Sequence, residues 1–207
     1  MYSIPHFKEK DLDVIVSFMK KHPFVMLVGS NLSATQIPVL IYKQGEAIII
    51  KGHYMKVTDH AQSFSNDPNV LVVFQGPQCY VSASWYSERG HGSTWNYMTV
   101  QAKATLQFYD DIQTSNFLKE LTHHYEDPQT QPELMENMTE GYIKSSLTAI
   151  VGFEAQLTDL RATFKLSQNR DDESYMKIIT ALEATNLSQE KSIAEEMKER
   201  RPHLFIK

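Results

Sequence analysis

Between Phe24 and Tyr109 the chain alternates short apolar, β-branched stretches with turn residues, and this rhythm constrains the fold more than any other feature. Phe24 to Val28 reads as a buried strand, and Thr35 to Tyr42 as extended chain in which Pro38 marks an edge or a bulge. Gln44-Gly45 forms a turn, and the β-branched run Ala47 to Ile50 pairs back as a hairpin. Val70 to Phe74 and Cys79 to Trp85 follow as two strands, separated by Gln75-Gly76-Pro77, and Thr94 to Tyr109 as a long aromatic one. Six strands with short connections imply an antiparallel barrel or sandwich.

Helical periods surround this core. Asp11 to Lys21 places Leu12, Ile15, Phe18 and Met19 on one face and stops at Pro23. A short helix is expected from about Thr58 to Phe64, another from Ile112 to Tyr125, and a helical region from Glu133 to Ile143. Leu147 to Phe153 and Leu157 to Leu166 return to strand. Asp171 and Asp172 can cap a helix carrying Tyr175, Ile178, Ile179 and Leu182, and Ser188 can cap a last one from Gln189 to Arg200. The whole reads as one α+β domain over residues 1–207, with 171–207 a C-terminal helical segment. Its late strands return to the sheet over a long connection, leaving a seam.

The chain has 207 residues, 42% apolar, enough for one sizeable core. A net charge of −5 argues against nucleic acid as the main partner. The single Cys79, set in an alternating apolar stretch, reads as a buried structural thiol and fits a reducing compartment. The Met1-to-Lys8 segment has no apolar signal core, and no apolar run approaches the ~20 residues of a membrane span. These features lead us to expect a soluble, cytoplasmic protein.

Four stretches concentrate polar and aromatic groups. Lys51-Gly52-His53-Tyr54-Met55-Lys56 joins a strand to a helix, with cations and helix amides suited to a phosphate. It reads equally as a solvated turn with surface lysines. Ser82-Ala83-Ser84-Trp85-Tyr86 and Ser93-Thr94-Trp95-Asn96-Tyr97 hold both tryptophans, suited to a flat heteroaromatic ligand, a dimer interface or plain core packing. Lys165-Leu166-Ser167-Gln168-Asn169-Arg170 could clamp a phosphate or a ring edge, or be a polar strand-to-helix turn. His123-His124 lacks a third ligand at metal spacing, and Glu133, Glu136 and Glu140 read as a solvated acidic face. No nucleophile elbow, P-loop or dinucleotide fingerprint occurs.

In this order and spacing, these stretches resemble the PaiB family of FMN-binding negative transcriptional regulators. The resemblance runs nearly end to end: Met1-Tyr2, Pro5-His6-Phe7, Gly52-His53, Phe74-Gln75-Gly76-Pro77, Ser84-Trp85-Tyr86, Thr94-Trp95-Asn96-Tyr97, Val151-Gly152-Phe153-Glu154 and the Lys165-to-Arg170 cluster. It implies an antiparallel split β-barrel of the FMN-binding type that forms a homodimer and holds FMN at the subunit interface. Gly52, His53 and Lys56 would then lie near the phosphate and ribityl chain, and Trp95 and Asn96 near the flavin ring. Lys165, Ser167, Gln168 and Arg170 would complete the site, with Gln168 and Arg170 reaching it from the other subunit.

The chain departs from the family pattern in places. Gln36 and Gln101 stand where the family usually has histidine, and Ala83 where it has proline. Glutamine hydrogen-bonds but cannot titrate near neutral pH, so the departures bear on acid–base chemistry more than on binding. Three functions remain open: an FMN-binding protein, a regulator with a degenerate flavin site, and a flavin-dependent oxidoreductase using NAD(P)H. The C-terminal helix mixes Lys191, Lys198, Arg200 and Arg201 with Glu190, Glu195, Glu196 and Glu199, which argues against its docking on operator DNA.

Overall fold

The computed structural model of the protein describes residues 4–206. In chain order its strands and helices are β1 Lys8–Glu9, α1 Leu12–Lys21, β2 Phe24–Gly29, β3 Ala34–Pro38, β4 Leu40–Gln44, β5 Ala47–Met55, α2 Asp59–Asn66 and β6 Asn69–Val81. Then come β7 Thr94–Thr105, β8 Gln107–Phe108, α3 Asp111–Glu126, α4 Glu140–Ala149, β9 Ile150–Lys165, α5 Asp172–Glu183 and α6 Ser188–Arg200. Two compact units divide the chain, one built from the N-terminal residues to Ile15, Gln75–Val100 and the residues from Arg161 onward, the other from Val16–Phe74 and Gln101–Leu160. β6, β7 and β9 are each long enough to contribute one end to either unit.

In the second unit the strands run in the order β3-β2-β6-β7-β9-β5-β4, with β8 also on β9. The hairpin expected at Gln44-Gly45 forms, pairing Gln44 with Ala47 and Leu40 with Lys51. β5 then pairs with β9 from Ile49↔Gln156 to Met55↔Ile150, all antiparallel. Strict alternation on β5 buries Ile48, Ile50, Gly52 and Tyr54 on one face, leaving Lys51 and His53 on the other. The fully buried Phe64, Phe74, Leu27, Ile50 and Phe153 anchor the core of this unit.

In the first unit β1 pairs with the end of β9, Lys8 against Thr163. Helices α5 and α6 pack on one another through the stripe expected from the sequence: Tyr175, Ile178, Ile179 and Leu182 are fully buried, as are Ile193, Ala194 and Met197. The Tyr175 hydroxyl donates to the Met197 carbonyl at 2.9 Å. Each such large apolar side chain contributes roughly 2 kcal/mol on burial, so the C-terminal helices are part of the core of this unit.

Several boundaries differ from the sequence reading. Gln75-Gly76-Pro77 does not end a strand; β6 is continuous over 13 residues. Its buried positions change parity there, from Val70, Val72 and Phe74 to Pro77, Cys79 and Val81, as an inserted residue in a strand would cause. Pro77 lies beyond the stretch of β6 that β2 pairs, which ends at Val73, so its missing N–H costs no β2–β6 bond. Ala83–Trp85 is a 3-10 turn, opened by its N-cap Ser82, whose hydroxyl accepts from the Ser84 amide. Leu147 to Ala149 is helical, because Thr139 caps a helix that begins later than Glu133. The two late strands are one, β9, and Leu187 rather than Ser188 occupies the cap position of α6.

Candidate functional site

The residues expected at a flavin site fall into two groups, one in each unit: Gly52, His53 and Lys56 in the second, and Trp95, Asn96, Lys165, Ser167, Gln168 and Arg170 in the first.

Gly52 lies in β5, opposite Phe153 of β9. A Cβ there would stand 2.9 Å from Phe153 Cζ and 3.2 Å from Ile37 Cδ1, so the position is glycine because the core face has no room. His53 points the other way, toward α3, with its ring 6.1 Å from that of Phe117. Its Nδ1 is buried and has no hydrogen-bond partner among the described residues, and burial lowers its pKa. Lys56 follows β5 and is exposed; its Nζ donates to the Leu147 carbonyl at 3.1 Å, a neutral acceptor. Lys51 differs, because Glu120 lies 3.3 Å from its ammonium and balances its charge.

The α2 N-terminus offers less to an anion than its sequence promises. Thr58 Oγ1 accepts from the Ala61 amide and Asp59 Oδ1 from the His60 amide, so the leading donors are already capped. Lys56 is therefore the side chain of this group best suited to a phosphate.

In the first unit, alternation along β7 sends Trp95 outward and Asn96 inward. Trp95 is 54% exposed and meets Tyr80 of β6 edge-on, with ring centroids 6.2 Å apart. Asn96 is fully buried: its Oδ1 accepts from Ser167 Oγ at 3.1 Å, and its Nδ2 faces Met197 Sδ at 3.6 Å. The Lys165-to-Arg170 stretch is a tight turn. Ser167 sits at φ +61°, in the left-handed region, and the Gln168 side chain folds back, accepting from the Leu166 amide and donating to the Phe164 carbonyl. Lys165 donates to Thr94 Oγ1, and its pKa is lowered by burial and by the nearby Arg170. The Arg170 guanidinium lies 3.9 Å from the centre of the Tyr86 ring, a cation–π contact.

Two residues outside the expected set of site residues hold this turn. Arg201 Nη2 donates to the carbonyls of Gln168 and Arg170 at 2.8 and 3.0 Å, while its Nη1 binds Asp172 at 2.7 Å. Asp171, as N-cap of α5, accepts from the Ser174 amide and hydroxyl, which lowers its pKa to about 2. Asp171 followed by a periodic helix was a legible signal for the cap; nothing local marks Arg201.

The other polar clusters are explained by their surroundings. His123 lies between Asp127 and Glu136 at 2.9 and 3.2 Å, and those contacts raise its pKa. Glu136 is bound first by Lys119, at 2.6 Å, which takes it out of the expected free acidic face. Cys79 is buried, and burial with the nearby Glu190 pushes its thiol up to about 12.

Residues 1–159 match the family model described as "Putative FMN-binding domain". The chain belongs to this FMN-binding-domain family. A relative, the protease synthase and sporulation protein PAI 2 of Bacillus subtilis, is 30% identical over 203 residues, covering 97% of this chain and 98% of that protein. Among solved structures, the FAD and heme binding protein of Mycobacterium smegmatis aligns with a TM-score of 0.53 at 11% identity, covering 82% of this chain and 78% of that one. The flavocytochrome Anf3 of Azotobacter vinelandii gives 0.53 and 11%, covering 84% and 78%. At such identity the structural likeness speaks to fold alone, and it agrees with the antiparallel split barrel expected from the sequence. Tested against a flavin, the family member's own residues divide. Trp95 and Lys56 present side chains a ligand could reach, whereas Asn96, Ser167 and Gln168 direct theirs into internal hydrogen bonds. Among the described residues, no group of three or more metal-ligating side chains and no helix long and apolar enough to cross a membrane occurs.

Proposed function

We propose that the protein binds FMN as a homodimer; in the second unit Lys56 offers a cation suited to the phosphate, and in the first the exposed face of Trp95 offers a surface suited to a flavin ring. The family match over residues 1–159 carries this reading. The exposed Trp95–Tyr80 pair supports it, since two neighbouring aromatic rings at the surface suit a flat ligand or a second subunit. Asn96, Ser167 and Gln168 act indirectly, fixing the strand from which Trp95 projects. Arg170, with its guanidinium over Tyr86, offers its remaining donors to a ligand or a neighbouring subunit.

A bound flavin would supply electron or hydride transfer, and the chain would supply position and exclusion of water. Gln36 is exposed and Gln101 half-buried, and neither can move a proton near neutral pH, so binding is the better-supported activity. Titration of FMN into the purified protein, followed by flavin fluorescence, tests the reading. Saturable quenching at micromolar FMN is expected; its absence overturns the proposal. A monomeric mass by light scattering at micromolar protein would overturn the dimer.

A further inference from the structure

The helical insertion α3–α4 of the second unit roofs a cavity of about 230 Å³ whose floor includes His53. Its walls are Leu118, Met135, Met138, Ile143 and Ile150, with Thr122, Tyr142 and Ser146 also on the lining. Helix α4, one side of the roof, has no buried residue of its own, and Tyr142 at the rim is 60% exposed. Ile143, Ser146 and Leu147 on the inner side of α4 are only half-buried, so the apolar surface beneath it is incompletely packed.

We propose that this cavity binds a small, neutral, hydroxylated bicyclic aromatic molecule, oriented by His53. Four observations lead there, and none of them depends on flavin binding. The first is charge: no lining residue is acidic or basic apart from the imidazole, so a phosphate or carboxylate would meet no cation. The second is the buried Nδ1 of His53, which lacks a partner among the described residues. A buried polar atom in that state is costly unless a ligand or water satisfies it. A neutral imidazole carries one donor and one acceptor, and a hydroxyl can answer either.

The third is wall chemistry. Met135 and Met138 both line the cavity, and methionine packs favourably against aromatic rings. The fourth is size. An apolar cavity of about 150 Å³ takes up benzene, so 230 Å³ leaves room for a second fused ring.

The test uses the full-length protein and 2-naphthol as probe, followed by its fluorescence and by calorimetry. One molecule per chain should bind saturably with Kd of about 0.1 mM, the range for a ligand of about eleven heavy atoms. The 2-naphthoate anion, and naphthalene without its hydroxyl, should each bind about tenfold more weakly. Ser146→Phe, which fills the cavity from α4, should weaken 2-naphthol about tenfold without changing the FMN titration. If that variant unfolds at lower temperature, Met138→Phe and the shift of the His53 imidazole resonances on adding 2-naphthol serve in its place. No saturation by about 1 mM, equal affinity for 2-naphthol and 2-naphthoate, or displacement of 2-naphthol by FMN would each overturn the proposal. A protein that fails to bind FMN but still saturates with 2-naphthol separates the two readings.

Discussion

Ser167 donates a hydrogen bond of 3.1 Å to Asn96, joining the turn after β9 to the third residue of β7 at a point where both side chains are buried. The bond is held from both ends: Ser167 adopts φ +61°, and Arg201 clamps the carbonyls that follow it. Replacing Ser167 with Ala removes the hydroxyl that donates to Asn96 Oδ1 while leaving the carbonyl buried. The expected loss is about 1–3 kcal/mol of stability, read as a lower urea midpoint at unchanged slope.

Gly52→Ala should also destabilise, for a steric reason. Its Cβ would approach Phe153 Cζ to 2.9 Å, and overpacking of this kind costs about 1–3 kcal/mol. The double variant with Phe153→Leu should recover part of that loss, because the ring edge that causes the clash is gone. No recovery in urea unfolding would show that Gly52 is required for something besides room.

Trp95→Ala should leave the thermal midpoint within about 2 °C, since the side chain is half in water, yet raise the Kd for FMN about tenfold or more. An unchanged FMN titration curve would remove Trp95 from the ligand-binding face.

The His53 imidazole titrates below its ordinary value of 6.5, because burial disfavours the cation. A folded-state pKa below the unfolded one means that this contribution to stability is complete above about pH 6.5. It is lost as the pH falls through the lower, folded value. NMR titration of the ring should place its midpoint under 6.5, and urea unfolding at pH 5.5 should show less stability than at pH 7.5. His53→Gln should reduce that difference.

Cys79 should be unreactive in the folded protein. Its thiol is buried and shifted up to about 12, so a disulfide reagent at pH 8 finds almost no thiolate. Labelling that keeps pace with a free thiol would contradict the burial.

The strands and most helices could be read from the sequence because their signals are local. Val70 to Phe74 and Ala47 to Ile50 announce themselves by β-branched runs, and Tyr175, Ile178, Ile179 and Leu182 by helical spacing. Pro77 misled because its tolerance depends on where β2 stops, which the sequence around residue 77 does not record. Leu147 to Ala149 misled because the three residues Leu-Thr-Ala fit either period, and the cap that opens their helix is Thr139, eight residues earlier. The candidate site was legible as a set of residues but not as a set of roles. Asn96 is a tryptophan's neighbour in sequence, yet its partners Ser167 and Met197 lie 71 and 101 residues further along. Whether a polar side chain on a strand faces ligand or core is decided by such distant contacts.

Helix α4 has a consequence for how this protein breathes. Its ten residues contribute no buried side chain, so little free energy separates its folded form from its melted one, while β5 and β9 beneath it are tied by an unbroken run of pairs. Amide hydrogens from Glu140 to Ala149 should exchange with solvent long before those of Ile49 to Met55, and proteases should nick the insertion first. Such a segment can also drift in sequence, lengthen or accept a fusion without disturbing the sheet, so relatives could differ there while keeping the barrel.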